Sequence, residues 1–132
     1  MMTKILALLL ATATSHAWAE PDSGLERQRA LAIENEHDAG VRVDYYAKET
    51  TIAEIDLATA QITIDMAVTQ REVARRANDA KAAGYWAKRY RAALADQREA
   101  QERATRFRAE RDRAREDFEA SAADVRRLRR PG

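Results

Sequence analysis

Thirteen positions between Trp86 and Leu128 follow an unbroken four–three spacing: 86, 90, 93, 97, 100, 104, 107, 111, 114, 118, 121, 125 and 128. They carry Trp, Tyr, Ala, Gln, Ala, Ala, Phe, Arg, Ala, Phe, Ser, Val and Leu, so only Gln97, Arg111 and Ser121 are polar. Such a repeat is the stripe of a helix that packs lengthwise on another helix. The seam is thin, because alanine allows close approach but buries little area. Around it the surface is dense in Arg and Glu. Pairs such as Glu99–Arg103 and Glu102–Arg106 have the acid-first i,i+4 order, worth roughly 0.2–0.5 kcal/mol each. A solvated coiled-coil arm is the natural reading.

Nothing between Pro21 and Pro131 forbids long helices, since those are the two prolines of the chain. Ala, Arg, Glu and Gln dominate, and all are good helix formers. Asp22-Ser23-Gly24 offers N-caps for a first helix over 20–40, and Gly40 is a candidate stop. Residues 41–129 then form a long helical coiled-coil region with a break or stutter near Gly84, and 130–132 should fray. The expected class is all-α, long helices forming a coiled coil or a helical hairpin. One continuous 41–129 helix is the preferred form, since a lone glycine costs a helix only about 1 kcal/mol. That helix would be roughly 130 Å long at 1.5 Å per residue.

The middle segment is less simple. Positions 52, 55, 59, 62, 66, 69 and 73 read Ile, Ile, Thr, Ile, Met, Thr and Val, again in three–four spacing. Leu57, Ile64 and Val68 fall on the opposite side of the same helix. A helix apolar on two sides must be sandwiched between neighbours or buried in an oligomer. The rival reading is a strand, because Ile62 to Thr69 and Val41 to Tyr45 also alternate with period two. Helix is preferred, as the flanks are helical and no turn residues separate putative strands. The expected helix interface is Ile52, Ile55, Ile62, Met66, Val73, Tyr90, Phe107, Phe118, Val125 and Leu128. Ile62→Asp should dissociate or unfold the assembly.

The first residues read as an export signal. Lys4 gives a cationic start, Ile5 to Ala13 an apolar run, and Ala17-Trp18-Ala19 a small-x-small site that places a cut before Glu20. The apolar run is too short for a stable membrane span, which needs about 20 residues. Residues 1–19 are therefore expected to be a cleaved signal peptide, and the protein periplasmic or secreted. The chain carries 23 Lys+Arg and 22 Asp+Glu, and removal of Lys4 leaves them equal. That neutrality argues against a dedicated nucleic-acid binder. With no cysteine, neither a disulfide framework nor lipid attachment at a lipobox cysteine is available.

Motifs that carry chemistry are scarce. Ser23, Ser121 and His37 do not assemble into a nucleophile–base pattern. The glycines are isolated and form no phosphate loop. Glu34 and His37 make one Glu-x-x-His, a weak metal candidate, for which a second copy of the chain would supply the rest of a di-metal set. The plainer alternative is a charged helix end with a solvent-facing histidine. No cofactor is expected. Arg126, Arg127, Arg129 and Arg130 form a basic tail suited to an anionic envelope surface. Tyr45-Tyr46 and Tyr85-Trp86 suit packing between helices.

The leading expectation is a non-enzymatic exported coiled-coil protein: a homo-oligomer, or the partner of another helical protein, serving as scaffold, spacer or accessory subunit of a bacterial envelope assembly. Two alternatives stand beside it. One is a holdase-type chaperone, which resembles the trimeric periplasmic holdases in its helical arms but not in its neutral charge. The other is a metal-binding envelope stress protein built on Glu34 and His37.

Overall fold

The computed structural model describes the backbone of residues 2–129 and the side chains of residues 23–129. Two α-helices, α1 (Met2–Arg76) and α2 (Ala80–Arg129), pack against each other as a helical hairpin. No strand occurs among the described residues, and Ile62 to Thr69 is helical. Threonines in this region satisfy themselves within the helix. Thr59, Thr63 and Thr69 each donate to the carbonyl four residues back, at 2.9–3.0 Å.

The break between the helices lies at 77–79 and not at Gly84. Asn78 takes the left-handed conformation at φ 55°, which asparagine tolerates better than most residues. The Asp79 N–H reaches the Ala74 carbonyl at 2.9 Å, and the Asn78 N–H reaches the Arg75 carbonyl at 3.1 Å. These two bonds are the Schellman closure of a helix C-terminus. Asp79 then starts α2: its backbone carbonyl accepts from the Ala83 N–H at 2.9 Å and its side chain accepts from the Ala82 N–H at 3.0 Å. One residue thus closes α1 and N-caps α2. Arg75 and Arg76 complete the last turn of α1, where cations suit the carbonyl end.

The expectation of one continuous 41–129 helix is therefore corrected to a hairpin, and the stop expected at Gly40 is absent. Both glycines are helical. A Cβ on Gly84 would meet nothing within 4 Å, and one on Gly40 would lie 3.5 Å from the Phe118 ring. Neither position has the left-handed geometry that ends a helix. No polar cap follows Gly40, where the chain reads Val41-Arg42.

By their contacts the helices divide into two compact units, Met1–Gly40 with Glu116–Gly132, and Val41–Arg115. In the first, Ala32, Ala39 and Val125 are buried, and the Phe118 ring lies over Gly40. The Arg29 Nε donates to the Leu128 carbonyl at 2.7 Å, satisfying one of the carbonyls that the end of α2 leaves open. In the second, the core is a row of small side chains. Ala53, Ala60, Ala67 and Ala74 recur every seven residues on α1 and face Ala93, Ala100 and Ala104 of α2, all buried. Ile64, also buried, and Leu57, half-buried, fill the alternate positions of the α1 row. In the register set by the Gln61–Gln97 and Asp56–Arg103 contacts, Leu57 falls opposite Ala100 and Ile64 opposite Ala93. Large side chains thus meet small ones. Tyr46 and Phe107 interrupt the alanine row together, their rings 6.3 Å apart.

Two substitutions, read by urea unfolding, test where the turn lies. Asp79→Ala should lower stability by about 1 kcal/mol through loss of the cap. Gly84→Ala should raise it by about 1 kcal/mol, because a helical glycine is replaced where the methyl meets no neighbour. Equal stability of the two variants would contradict the placement of the turn.

Candidate interaction surface

Helix α1 presents two distinct faces within the unit Val41–Arg115. The inner face, built on the alanine row, is covered by α2. Nearly opposite run Tyr45, Ile52, Ile55, Ile62, Met66 and Val73, whose exposures lie between 43% and 66%. The three–four spacing of these residues describes a real stripe, but not the one that packs on α2. Of the helix interface named in the sequence analysis, Ile52, Ile55, Ile62, Met66 and Val73 therefore do not pack on α2, whose row on α1 is Ala53, Leu57, Ala60, Ile64, Ala67 and Ala74. The physical reason is size. Fully covered alanines leave no room for a second row of isoleucines between the same two helices.

On α2 the four–three register does face α1. Ala93, Ala100, Ala104, Ala114 and Val125 are buried; Tyr90, Phe107 and Leu128 are half-buried; Phe118 is 38% exposed although its ring lies where a Cβ on Gly40 would meet it. Tyr90 receives the Arg71 guanidinium at 5.9 Å from its ring centre, and Phe107 receives Arg106 at 5.0 Å. The two paired aromatics hold edge-to-face geometries, Tyr45 on Tyr46 at 5.2 Å and Tyr85 on Trp86 at 5.0 Å.

The flanks of the inner seam are ionic. Arg103 Nη2 donates to Asp56 Oδ2 at 2.8 Å, with Glu99 3.9 Å from its Nε. Arg108 donates twice to Glu54 Oε1, at 2.7 and 3.2 Å. Gln97 donates to Gln61 at 2.7 Å, and Gln61 in turn to Asp65 at 3.0 Å. An open groove of about 290 Å³ lies between Asp56, Thr63, Asp96, Glu99 and Arg103. Arg103 is held there by Asp56 and approached by Glu99, and Asp96 and Glu99 are exposed, so the groove reads as a solvated border of the seam. Exposed pairs of this kind contribute between about 0.2 and 1 kcal/mol each. Their bearing on the Arg-rich part of α2 is direct: Arg103, Arg108, Arg111 and Arg113 are each engaged by a carboxylate of the same chain.

The remaining candidate residues do not converge. Glu34 and His37 are exposed on one turn of α1, and no group of three or more metal-ligating side chains occurs among the described residues. Arg126, Arg127 and Arg129 are exposed in the last turn of α2, with Arg127 3.2 Å from Asp124. Ala17, Ala19 and Arg130 lie outside the residues whose side chains are described. Among the described residues no helix is long and apolar enough to cross a membrane.

Comparison with known proteins adds no relative: no family model matches the chain, and neither the curated proteins nor the solved structures yield a match.

The two faces of α1 separate by mutation. Measured by unfolding at sub-micromolar concentration, Ile64→Ala should cost about 2–4 kcal/mol. Ile62→Ala under the same conditions should change stability by less than about 0.5 kcal/mol. Equal costs would contradict the assignment of the inner face.

Proposed function

We propose that this protein is a non-enzymatic, exported coiled-coil protein that works by binding, as a scaffold, spacer or accessory subunit of a bacterial envelope assembly. The observation that carries this reading is the apolar stripe of α1, left in water on the side away from α2. Exposed apolar surface in one contiguous row marks an interaction site far more often than scattered apolar residues do. Rigid helical positions spaced by heptads are also how helical partners recognise each other. Export rests on the leader pattern, from Lys4 through Ala17-Trp18-Ala19.

The holdase reading would use the same stripe and differs in its clients. A holdase covers unfolded chains of many sequences, whereas a scaffold takes a defined neighbour. The neutral charge balance after loss of Lys4 favours the second.

The test is made in the producing cell. Fractionation should place the protein in the periplasm with Glu20 as its first residue. A photo-crosslinking residue at Ile55 should give discrete adducts, while the same group at exposed Ala109 on α2 should give none. A cytoplasmic protein that retains Met1 would contradict export. Equal diffuse crosslinking from both positions would contradict a defined binding face.

A further inference from the structure

We propose that the stripe Tyr45, Ile52, Ile55, Ile62, Met66 and Val73 is the contact face for a second copy of this chain, with the two α1 helices antiparallel. The inference rests on the binding role assigned above and names the occupant of that face.

The area of the stripe suits a second copy. Six large side chains exposed between 43% and 66% present on the order of 600 Å² per copy, so an isologous contact that covered them all would bury at most roughly 1,200 Å² from these residues. That reaches the lower end of a stable protein interface, whereas an ordinary monomer rarely leaves so long an apolar row uncovered.

The stripe also meets the demands of symmetry. A two-fold contact requires a surface complementary to itself under reversal. With the axis near Thr59 and Ile62, Ile55 of one copy falls opposite Met66 of the other, and Thr59 opposite Ile62. Ala58 and Thr59 at the centre are small enough for the backbones to approach closely.

Charge decides the orientation. At the N-terminal end Asp44 lies beside the stripe and Lys48 continues its Ile55–Ile62 column; at the C-terminal end Glu72 lies beside it and the well-exposed Arg76 ends that column, the two holding each other at 3.1 Å within one copy. Antiparallel packing about that axis sets Asp44 near Arg76 and Lys48 near Glu72 of the other copy. A parallel pair would instead set Asp44 against Asp44 and Arg76 against Arg76. Like charges in flanking positions disfavour that arrangement. The stripe runs opposite the inner seam, so a second copy docks there without disturbing the hairpin.

The absence of cysteine makes the test clean, since each introduced thiol is the sole one in the chain. Light scattering on the purified protein at tens of micromolar should give twice the chain mass, falling to a single chain in I55E/I62E with helicity retained. A thiol crosslinker of about 10 Å span should join copies of Thr59→Cys. It should fail on Tyr45→Cys, whose two copies would lie roughly 45 Å apart along antiparallel helices. A monomeric wild type overturns the second-copy proposal. So does crosslinking of Tyr45→Cys as efficient as that of Thr59→Cys, which signals parallel packing. If the wild type is monomeric yet still gives the discrete Ile55 adducts, the binding role stands and its occupant is another protein. Loss of both removes the binding role as well.

Discussion

Everything in this structure depends on how closely two helices can approach through alanine. Ala53, Ala67, Ala100 and Ala104 have no accessible surface, and a side chain that small is fully covered only when the facing helix lies nearly on top of it. Close approach fixes the register and leaves Leu57 and Ile64 to fill the spaces opposite the α2 alanines. It also draws Arg103 and Arg108 within reach of Asp56 and Glu54. The same feature limits the stability of the hairpin. Each alanine removes little area from water, at roughly 25 cal/mol per Å², and the flanking ion pairs are half-exposed and add little.

A thin inner seam gives the outer face of α1 its meaning. A helix whose inner row is mostly alanine, with Leu57 and Ile64 between, and whose outer row is large side chains throughout has its larger hydrophobic potential where α2 does not reach. Burial of that outer row would add more apolar area per heptad than the alanine row supplies. The turn at 77–79 makes this arrangement possible. It reverses the chain at Asn78 and Asp79, so that α1 is covered on one side only.

The helical class and the α2 register were legible in the sequence, because a four–three repeat of mixed large and small residues survives to Leu128 without interruption. The division of α1 was harder to read. Its large residues, Ile52, Ile55, Ile62, Met66 and Val73, form the more conspicuous repeat, while the packed row is marked by alanine at 32, 39, 53, 60, 67 and 74 with Tyr46 in the missing slot. Alanine is so common in this chain that its spacing carries little contrast, although the seven-residue recurrence is there to be read. Hydrophobicity alone does not say which of the two apolar sides of α1 faces α2. Gly84, where a break or stutter is expected, is helical. Asn78-Asp79 supplied the left-handed residue and the N-cap, and that pair is the stronger stop–start signal. For Glu34 and His37, one Glu-x-x-His with both side chains exposed gathers no further ligand from the fold.

The central claim is that α1 has an inner face for α2 and an outer face for a second copy. The most direct measurement is the thermal midpoint of the purified protein as a function of its concentration. If folding is coupled to pairing through the outer stripe, the midpoint rises steadily with concentration by mass action. A midpoint that stays constant from sub-micromolar to high micromolar concentration, while scattering reports a single chain throughout, would contradict the account.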